Sequence, residues 1–245
     1  MSDNNNSITL DYIGHVESPF KEKFAIPRQP GLVNGAQGKV ILTGDANNAD
    51  LVKELEQFSH IWLLFVFHGT QAQGWKPLVR PPRLGGNKKI GVLATRSTFR
   101  PNPIGMSVVK LISVKMNNQQ VILNISGIDL LDQTPIVDIK PYVPYSDALP
   151  DAVAGFAQTQ PDTYLSIVFN KQARLSLAQY EQEHPGLTQL IEQVLAQDPR
   201  PAYKRDKVDN KVYGMSLYDL NIEWQMQDLS NLLVIRITKY LSASS

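Results

Sequence analysis

The segment 89–109, KIGVLATRSTFRPNPIGMSVV, carries the pattern from which the fold can be predicted. Its two apolar runs, 90–94 and 104–109, are typical of half-buried strands. The polar turn between them contains two prolines, each of which fixes its own φ and pushes the preceding residue towards an extended backbone. We therefore expect the preceding residues, Arg100 and Asn102, to be held in place by a rigid turn.

Two interpretations of this turn are open. Its arginines, hydroxyl groups and amide could form a binding site, or they could be solvated on a plain surface loop. Residues 57–128 contain no Asp or Glu but nine Lys and Arg, in a chain whose net charge is only +1. This asymmetry predicts a basic face for a polyanion such as nucleic acid, unless folding scatters the charges. The nine residues are Lys76, Arg80, Arg83, Lys88, Lys89, Arg96, Arg100, Lys110 and Lys115.

The composition excludes several classes of site. The chain has 245 residues and is 42% apolar, as expected of a globular protein with a proper core. It has no Cys, and its four His lack metal-ligand spacing, so no metal is predicted. Rossmann and P-loop glycine motifs and a serine nucleophile elbow are absent from the sequence.

The sequence also predicts where the protein works. The N-terminus is polar and lacks the basic and apolar parts of a signal peptide. The longest apolar run, 61–67, is too short to span a bilayer. We therefore predict a cytoplasmic protein without a membrane partner.

Residues 1–150 have the pattern of an all-β domain. Short apolar or alternating segments follow one another, separated by Gly- and Pro-rich turns, as in a sandwich or barrel. One helix is expected over 49–57, with Asn48 as its N-cap. Further strands are predicted at 8–16, 39–42, 61–67 and 120–126.

The sequence changes character after residue 150. The composition of residues 151–162 predicts a linker, and the pattern of residues 163–245 predicts a smaller α+β domain. Arg200 and Tyr203, with two further basic residues beside them, could provide phosphate contacts and a stacking surface for RNA. The predicted elements of this domain are a strand at 165–169, helices at 172–183 and 186–196, and strands at 212–225 and 232–239.

Three further segments have features of a binding site, each with a simpler alternative. Residues 27–31, PRQPG, hold polar donors between prolines, but could be a simple crossover. His68 ends an apolar run beside Gly69, where it could contact a ligand or be a structural histidine. The segment 135–142 should place alternate polar residues on one strand face, for binding or merely for solvation.

Six segments of the chain closely resemble the TrmO family, which includes YaeB- and TsaA-like proteins and consists of bacterial tRNA N6-methyltransferases. They are PRQPG (27–31), FSHIWLLFVFH (58–68), RPPRLGG (80–86), GVLATRSTFRPNPIG (91–105), DLLDQTPIVDIKPY (129–142) and QDPRPAY (197–203). The resemblance implies a single-sheeted β-barrel with a smaller C-terminal domain, forming a homodimer whose cofactor site lies near the subunit interface. It also implies methylation, by S-adenosylmethionine, of N6 of threonylcarbamoyladenosine next to the tRNA anticodon.

The resemblance further implies roles for residues of this sequence. Gly69 is a departure, because a longer polar side chain is expected after the histidine and glycine offers only its backbone. The implied cofactor-binding residues are Pro27, Arg28, Gln29, His68, Gly69, Arg96, Met106, Asp132, Gln133, Thr134 and Pro135. The implied substrate and catalytic residues are Arg80, Arg83, Arg100, Asn102, Lys140 and Tyr142. The chemistry of the residues adds Asp138 as a catalytic candidate, and Arg200 and Tyr203 as further contacts to the tRNA anticodon arm.

The chemistry of the acceptor suggests which of these residues act. N6 is conjugated to a carbamoyl group and is a poor nucleophile, so loss of its proton should help the transfer. Asp138 is the first candidate to accept that proton and Tyr142 the second, while Arg100 could clamp the threonyl carboxylate. Two alternatives remain: a tRNA-binding barrel without catalysis, and methyl transfer to another RNA or a small molecule.

Overall fold

The computed structural model describes residues 8–160, 165–201, 204 and 207–240. Within these ranges the chain is mainly β, as predicted. Its strands are β1 (Gly14–Glu17), β2 (Gln37–Leu42), β3 (His60–Val66), β4 (Leu78–Val79), β5 (Ile90–Gly91), β6 (Ile104–Asn117), β7 (Gln120–Ser126), β8 (Pro135–Pro141), β9 (Ser166–Phe169), β10 (Tyr213–Leu217), β11 (Leu220–Met226) and β12 (Asn231–Lys239). Its helices are α1 (Pro144–Asp147), α2 (Lys171–Tyr180) and α3 (Leu187–Ala196).

Six strands close into one antiparallel barrel in the order β1-β2-β7-β6-β3-β8. Alternation along each strand builds the interior: on β7, Val121, Leu123 and Ile125 are buried while their neighbours are only partly so. Burying a side chain of this size stabilises the fold by roughly 1.5–3 kcal/mol. The predicted barrel is confirmed, and its strand at 120–126 has the predicted bounds.

The barrel has an apolar rim where β3 ends beside the start of β6. Phe65 faces Gly105 across this pair of strands. A Cβ atom on Gly105 would lie 2.4 Å from the Phe65 ring, so the rim leaves room only for glycine. The rings of Phe65 and Phe67 meet edge to face, with centroids 5.2 Å apart. This rim forms one wall of the cleft described below.

Two predicted elements of the barrel half are wrong in part. The run 90–94 is β5 followed by a 3-10 turn, because its partner β4 is only two residues long. The predicted helix is two 3-10 turns, Ala49–Val52 and Leu55–Gln57. Glu54 separates them with a left-handed backbone, φ 66°, which no α-helix tolerates. The cap is confirmed, since Asn48 accepts a hydrogen bond from the backbone of Asp50.

A second sheet, in the order β10-β11-β12-β9, packs with α2 and α3 in the C-terminal region. The single strand predicted at 212–225 is wrong: it is a hairpin, β10 and β11, whose turn contains Tyr218 at φ 53°. The apolar stripe predicted for the second helix is confirmed, since α3 buries all five of its residues. They are Leu187, Leu190, Ile191, Val194 and Leu195.

The C-terminal region contacts the barrel through the segment that follows β1. Phe20, which is fully buried, forms a β-bridge with Leu217. The backbone N–H of Tyr218 donates to the carbonyl of Pro19 over 2.8 Å. The Glu22 carboxylate accepts from the backbone of Ser216 over 2.9 Å. The hairpin of the second sheet thus holds residues 19–22 in place.

Helix length bears on membrane contact. Across the ranges described above, no helix is both long and apolar enough to cross a membrane.

Candidate active-site cleft

A cleft of about 340 Å³ opens at the apolar rim of the barrel. Its walls come from the end of β3, the polar turn of 95–103, the start of β6, the segment before β2 and the loop before β8. Eight of the eleven predicted cofactor residues line it, although they come from five separate places in the chain. They are Pro27, Arg28, Gln29, His68, Gly69, Arg96, Met106 and Thr134.

The other three predicted cofactor residues do not line this cleft. Asp132 accepts hydrogen bonds from the backbone of Ser18 over 2.9 Å and from the Lys21 ammonium over 2.6 Å. Gln133 has a left-handed backbone, φ 61°, and its N–H donates to the carbonyl of Val16. Pro135 begins β8. These contacts shape the loop that carries Thr134 to the cleft.

Two of the lining segments are joined directly. The Arg96 guanidinium donates to the side-chain oxygen of Gln29 over 2.7 Å, across 67 positions of sequence. The PRQPG segment and the polar turn of 95–103 are therefore neighbours. Both were predicted separately as constrained loops, and the structure brings them to one wall.

The polar turn is held by its own side chains, as its prolines led us to expect. The Arg100 guanidinium donates to the carbonyl of Thr95 over 2.7 Å, and the Thr95 hydroxyl accepts from the backbone of Ser97. The ring of Phe99 has two ammonium groups over it, those of Lys23 at 5.6 Å and Lys76 at 4.7 Å from its centroid. Such cation–π contacts fix the ring and gather positive charge beside the cleft.

Asp129 is a lining residue that the sequence analysis did not select. Its carboxylate accepts a hydrogen bond of 2.5 Å from the Ser107 hydroxyl, which is buried on the inner face of β6. Burial raises the pKa of Asp129 to about 6, although Ser107 and the charge of Arg96 act in the opposite direction. One signal was available: Asp129 is the first acid after the acid-free stretch 57–128.

Asp138, Lys140 and Tyr142 share the outer face of the barrel, as their spacing predicted. Asp138 and Lys140 pair with Leu64 and Trp62 on β3, and their side chains form an ion pair of 2.8 Å. The Tyr142 ring lies 5.8 Å from the Trp62 ring. None of the three lines the cleft.

The outer face nevertheless meets the cleft at Met106. Leu64 pairs with Met106 on one side and with Asp138 on the other, so these three residues form one row across the sheet. Strands are about 4.8 Å apart, which puts Asp138 two strands, or about 10 Å, from Met106. Met106 itself is 53% exposed and lines the cleft.

The remaining predicted barrel residues lie outside the cleft. Arg80 and Asn102 are exposed. Arg83 donates to the backbone carbonyl and the hydroxyl of Thr159, which ties its loop to the segment after the barrel. This contact engages part of the Arg83 guanidinium.

Arg200 requires a correction. We predicted a phosphate contact, but its side chain is fully buried and donates to both carboxylate oxygens of Asp198, each over 2.8 Å. A guanidinium enclosed in this way cannot reach a phosphate. The predicted stacking partner Tyr203 lies outside the described residues. Its neighbour Lys204 pairs with Asp209 over 2.9 Å.

The basic residues of 57–128 do not all lie together. Arg96 lines the cleft and Lys76 flanks the nearby Phe99 ring. Lys110 pairs with His60 across β6 and β3. Lys115 is close to the opposite end of β6, roughly 35 Å along the strand from its start. Folding therefore keeps only part of the predicted basic face beside the cleft.

One group of potential metal ligands occurs among the residues that the structure describes. Glu183, His184 and Asp219 place one ligand atom each within 4.8 Å of one another. His184 hydrogen-bonds Asp219 over 2.8 Å, and the Lys239 ammonium contacts both acids. These ion pairs account for the cluster.

The chain is similar to proteins of known family along almost its whole length. A family model described as the tRNA-methyltransferase O N-terminal domain matches residues 15–148, and one described as the TrmO C-terminal domain matches residues 162–240. An Escherichia coli K12 protein named tRNA (adenine(37)-N6)-methyltransferase is 51% identical over 223 residues, 91% of this chain and 95% of that protein.

Two further matches come from Pseudomonas aeruginosa. A protein of strain PAO1, named as a candidate S-adenosylmethionine-dependent methyltransferase, RcsF, is 47% identical over 213 residues, 86% of this chain and 90% of its own. The crystal structure of TrmO from this organism is 38% identical and has a TM-score of 0.81, covering 98% of this chain and 100% of that one. Both the sequence and the fold thus show that the chain belongs to the TrmO family.

Proposed function

We propose that this protein transfers a methyl group from S-adenosylmethionine to N6 of adenosine 37 in tRNA. The observation that carries the proposal is the meeting of eight implied cofactor residues, from five separate places in the chain, in one cleft. Relatives that match most of the chain are named for this reaction or for this methyl donor.

The cleft suits the methyl donor in size and chemistry. Its volume of about 340 Å³ falls within the usual range of small-molecule sites, about 300–1,000 Å³. Arg28 and Arg96 can bind the carboxylate of the donor, and Phe65 and Phe67 offer apolar surface for its adenine. When bound, the donor supplies an electrophilic methyl group on a positively charged sulfur.

We propose that the acceptor adenosine lies over the outer face of the barrel, with its N6 near Met106. The adenosine carries the threonylcarbamoyl group, whose carboxylate Arg100 can clamp. Asp138, with Tyr142 as the second candidate, takes the N6 proton. The row from Met106 to Asp138 supports this arrangement, because Leu64 lies midway, about 5 Å from each end, so an N6 held over Leu64 lies beside Met106 and towards the Asp138 side chain. Positioning of acceptor and donor supplies much of the acceleration.

Further substrate contacts are assigned to exposed residues around this face. Arg80, Asn102 and Lys140 are available to phosphates or to the modified base, and Arg83 has the same role if its loop keeps one N–H free. A tRNA substrate supports the prediction of a cytoplasmic enzyme. The three-part division into 1–150, 151–162 and 163–245 remains a prediction that limited proteolysis would test.

We also infer that the protein works as a homodimer through the outer face of β6. Ile104, Met106 and Ile112 lie on this face, with the exposed Lys110 between the last two, and are 39%, 53% and 54% exposed, so they offer apolar side chains for contact with a second subunit. Light scattering during gel filtration would test the inference. A single species with twice the chain mass supports it, and a monomer at micromolar concentration contradicts it.

The test of the function uses radiolabelled S-adenosylmethionine and two tRNA pools. One comes from a strain that lacks this gene, and the other lacks the threonylcarbamoyl modification. We expect label at N6 of threonylcarbamoyladenosine in the first pool and none in the second. Label on unmodified RNA or on a small molecule would favour another acceptor, and tRNA binding without donor binding would leave a non-catalytic tRNA-binding protein.

A further inference from the structure

One charged group of the cleft has no role in the function proposed above. Among the described residues that line the cleft, Asp129 is the sole carboxylate. The cationic and titratable groups that line it are Lys23, Arg28, Arg96 and His68. A single negative charge among these groups marks the one place where a positive group of a ligand can be neutralised.

The surroundings of Asp129 favour neutralisation of its charge by a ligand rather than by solvent. Phe65, Met106 and Leu130 line the same cleft, so the carboxylate faces a largely apolar space. Its pKa of about 6 follows from burial. At neutral pH the group is therefore ionised against an opposing desolvation penalty, which a nearby cation would reduce.

The hydrogen bond from Ser107 fixes the position of this charge. Its hydroxyl lies 2.5 Å from one carboxylate oxygen, and Ser107 is 1% exposed on the rigid inner face of β6. Met106, the next residue, marks the place where the proposed acceptor meets the donor. Met106 and Ser107 lie on opposite faces of β6, but both line the cleft at the rim of the barrel, so the carboxylate is held in the same cleft as the proposed point of methyl transfer.

The methyl donor has two cationic groups, an ammonium and a sulfonium. An ammonium has three donors that each need an acceptor, whereas a sulfonium has none and needs only a nearby negative charge. A single carboxylate amid apolar side chains suits the sulfonium better. The demethylated product, S-adenosylhomocysteine, keeps the ammonium but has a neutral sulfur.

We propose that Asp129 pairs electrostatically with the sulfonium of S-adenosylmethionine and so makes the cleft prefer the donor to its demethylated product. The inference rests on the proposed function, since it assumes that this cleft binds the donor. It assigns Asp129 a role in specificity: once the methyl group has left, the pairing is lost and the product is released more readily.

The test is titration calorimetry without tRNA, at a pH well above the pKa of Asp129. The ligands are S-adenosylmethionine, S-adenosylhomocysteine and sinefungin, which has an amine-bearing carbon in place of the sulfonium. We expect Asp129→Asn to weaken the binding of S-adenosylmethionine and sinefungin, the two ligands with a positive centre, about tenfold. The binding of S-adenosylhomocysteine should weaken less than about twofold. Asp45→Asn, an exposed acid outside the cleft, is the matched control and should change none of them.

A pH series separates the effect of the Asp129 charge on ligand binding from the effect of its side-chain shape. Binding of S-adenosylmethionine to the unaltered protein should weaken as the pH falls below about 6. Lys23, Arg28, Arg96 and His68 also face the cleft, so the Asp129→Asn series, measured at the same pH values, supplies the correction for every group other than Asp129. Ser107→Ala removes a hydrogen bond that lowers the pKa of Asp129, and it should move the midpoint to higher pH.

Each outcome decides the question. Equal losses for all three ligands, or no loss, would overturn the sulfonium pairing. If circular dichroism shows that Asp129→Asn does not fold, the midpoint shift in Ser107→Ala decides instead, and an unmoved midpoint overturns the proposal. If the unaltered protein binds none of the ligands, the proposed function fails rather than this inference.

Discussion

The inner cleft and the outer strand face each present one carboxylate, and their surroundings make the two groups chemically different. Asp129 is half-buried, hydrogen-bonded to Ser107 and surrounded by apolar walls, which raise its pKa to about 6. Asp138 is 45% exposed, and Lys140 and the backbone of Ile139 contact it. The same type of side chain, an aspartate carboxylate, is thus shielded from solvent in the cleft and solvated on the outer face.

The difference in surroundings determines which role each carboxylate can fill. A shielded carboxylate interacts strongly with a cation that enters its cleft, because the local dielectric is low. A solvated carboxylate can pass a proton to water after each turnover, as a general base requires. We therefore propose donor recognition in the cleft and proton transfer at the outer face.

The largest expected effect is on the turnover number of an Asp138 variant, and it would distinguish proton transfer from donor recognition. Replacement by Ala should reduce the turnover number by about 100-fold or more, because the proton acceptor is lost. The calorimetric Kd for S-adenosylmethionine should stay within about twofold, because Asp138 does not line the cleft. Asp45→Ala serves as the control. An unaltered turnover number would show that Asp138 is not the base, and Tyr142→Phe would then be examined.

A second prediction concerns the pH dependence of stability. The pKa of Asp129 rises from 3.8 to about 6 on folding, so its contribution to stability is fully present below about pH 4 and is lost as the pH rises through 6. The difference corresponds to about 3 kcal/mol. The free energy of unfolding, measured by urea titration without ligand, should therefore fall less with rising pH in Asp129→Asn. Parallel pH profiles would mean that burial does not perturb this carboxyl group.

A smaller effect should follow from loss of the contact between the two cleft loops. Arg96→Ala removes the hydrogen bond to Gln29 and one positive charge that we propose binds the donor carboxylate. We expect about tenfold weaker donor binding by calorimetry, of similar size for S-adenosylmethionine and S-adenosylhomocysteine because both keep that carboxylate. A loss confined to one of the two ligands would place Arg96 beside the sulfur instead. Arg236→Ala, on β12, provides the control.

The smallest effect is expected at Gly69, the departure from the family pattern. A Cβ atom there would lie 3.4 Å from Leu131, an ordinary contact, and the backbone is not left-handed. Gly69→Gln should therefore change the free energy of unfolding by less than about 0.5 kcal/mol. Donor affinity should change by less than about threefold, measured in the same titrations. At Gly105, by contrast, alanine would clash with Phe65 and should destabilise the barrel markedly.

The sequence determined the elements whose cause is local. Alternation gave the strands of the barrel, the helical stripe gave α3, and the prolines of the 95–103 turn indicated a held loop. It failed where a single backbone angle decided the outcome, at Glu54 and at Tyr218. Propensity over a window averages out one left-handed residue, so the broken helix and the extra hairpin could not be foreseen.

Only the tertiary structure decided which of two similar acids enters the cleft. Asp129 and Asp138 are nine positions apart and both precede apolar residues, so their sequence context does not distinguish them. Barrel closure brings Ser107 and Arg96 to Asp129, and strand register leaves Asp138 outside. Arg200 followed the same rule, because Asp198 and the surrounding core enclosed a guanidinium predicted to bind phosphate. Strand and helix periods are local properties of the chain, whereas burial and charge partners depend on contacts between residues far apart in sequence.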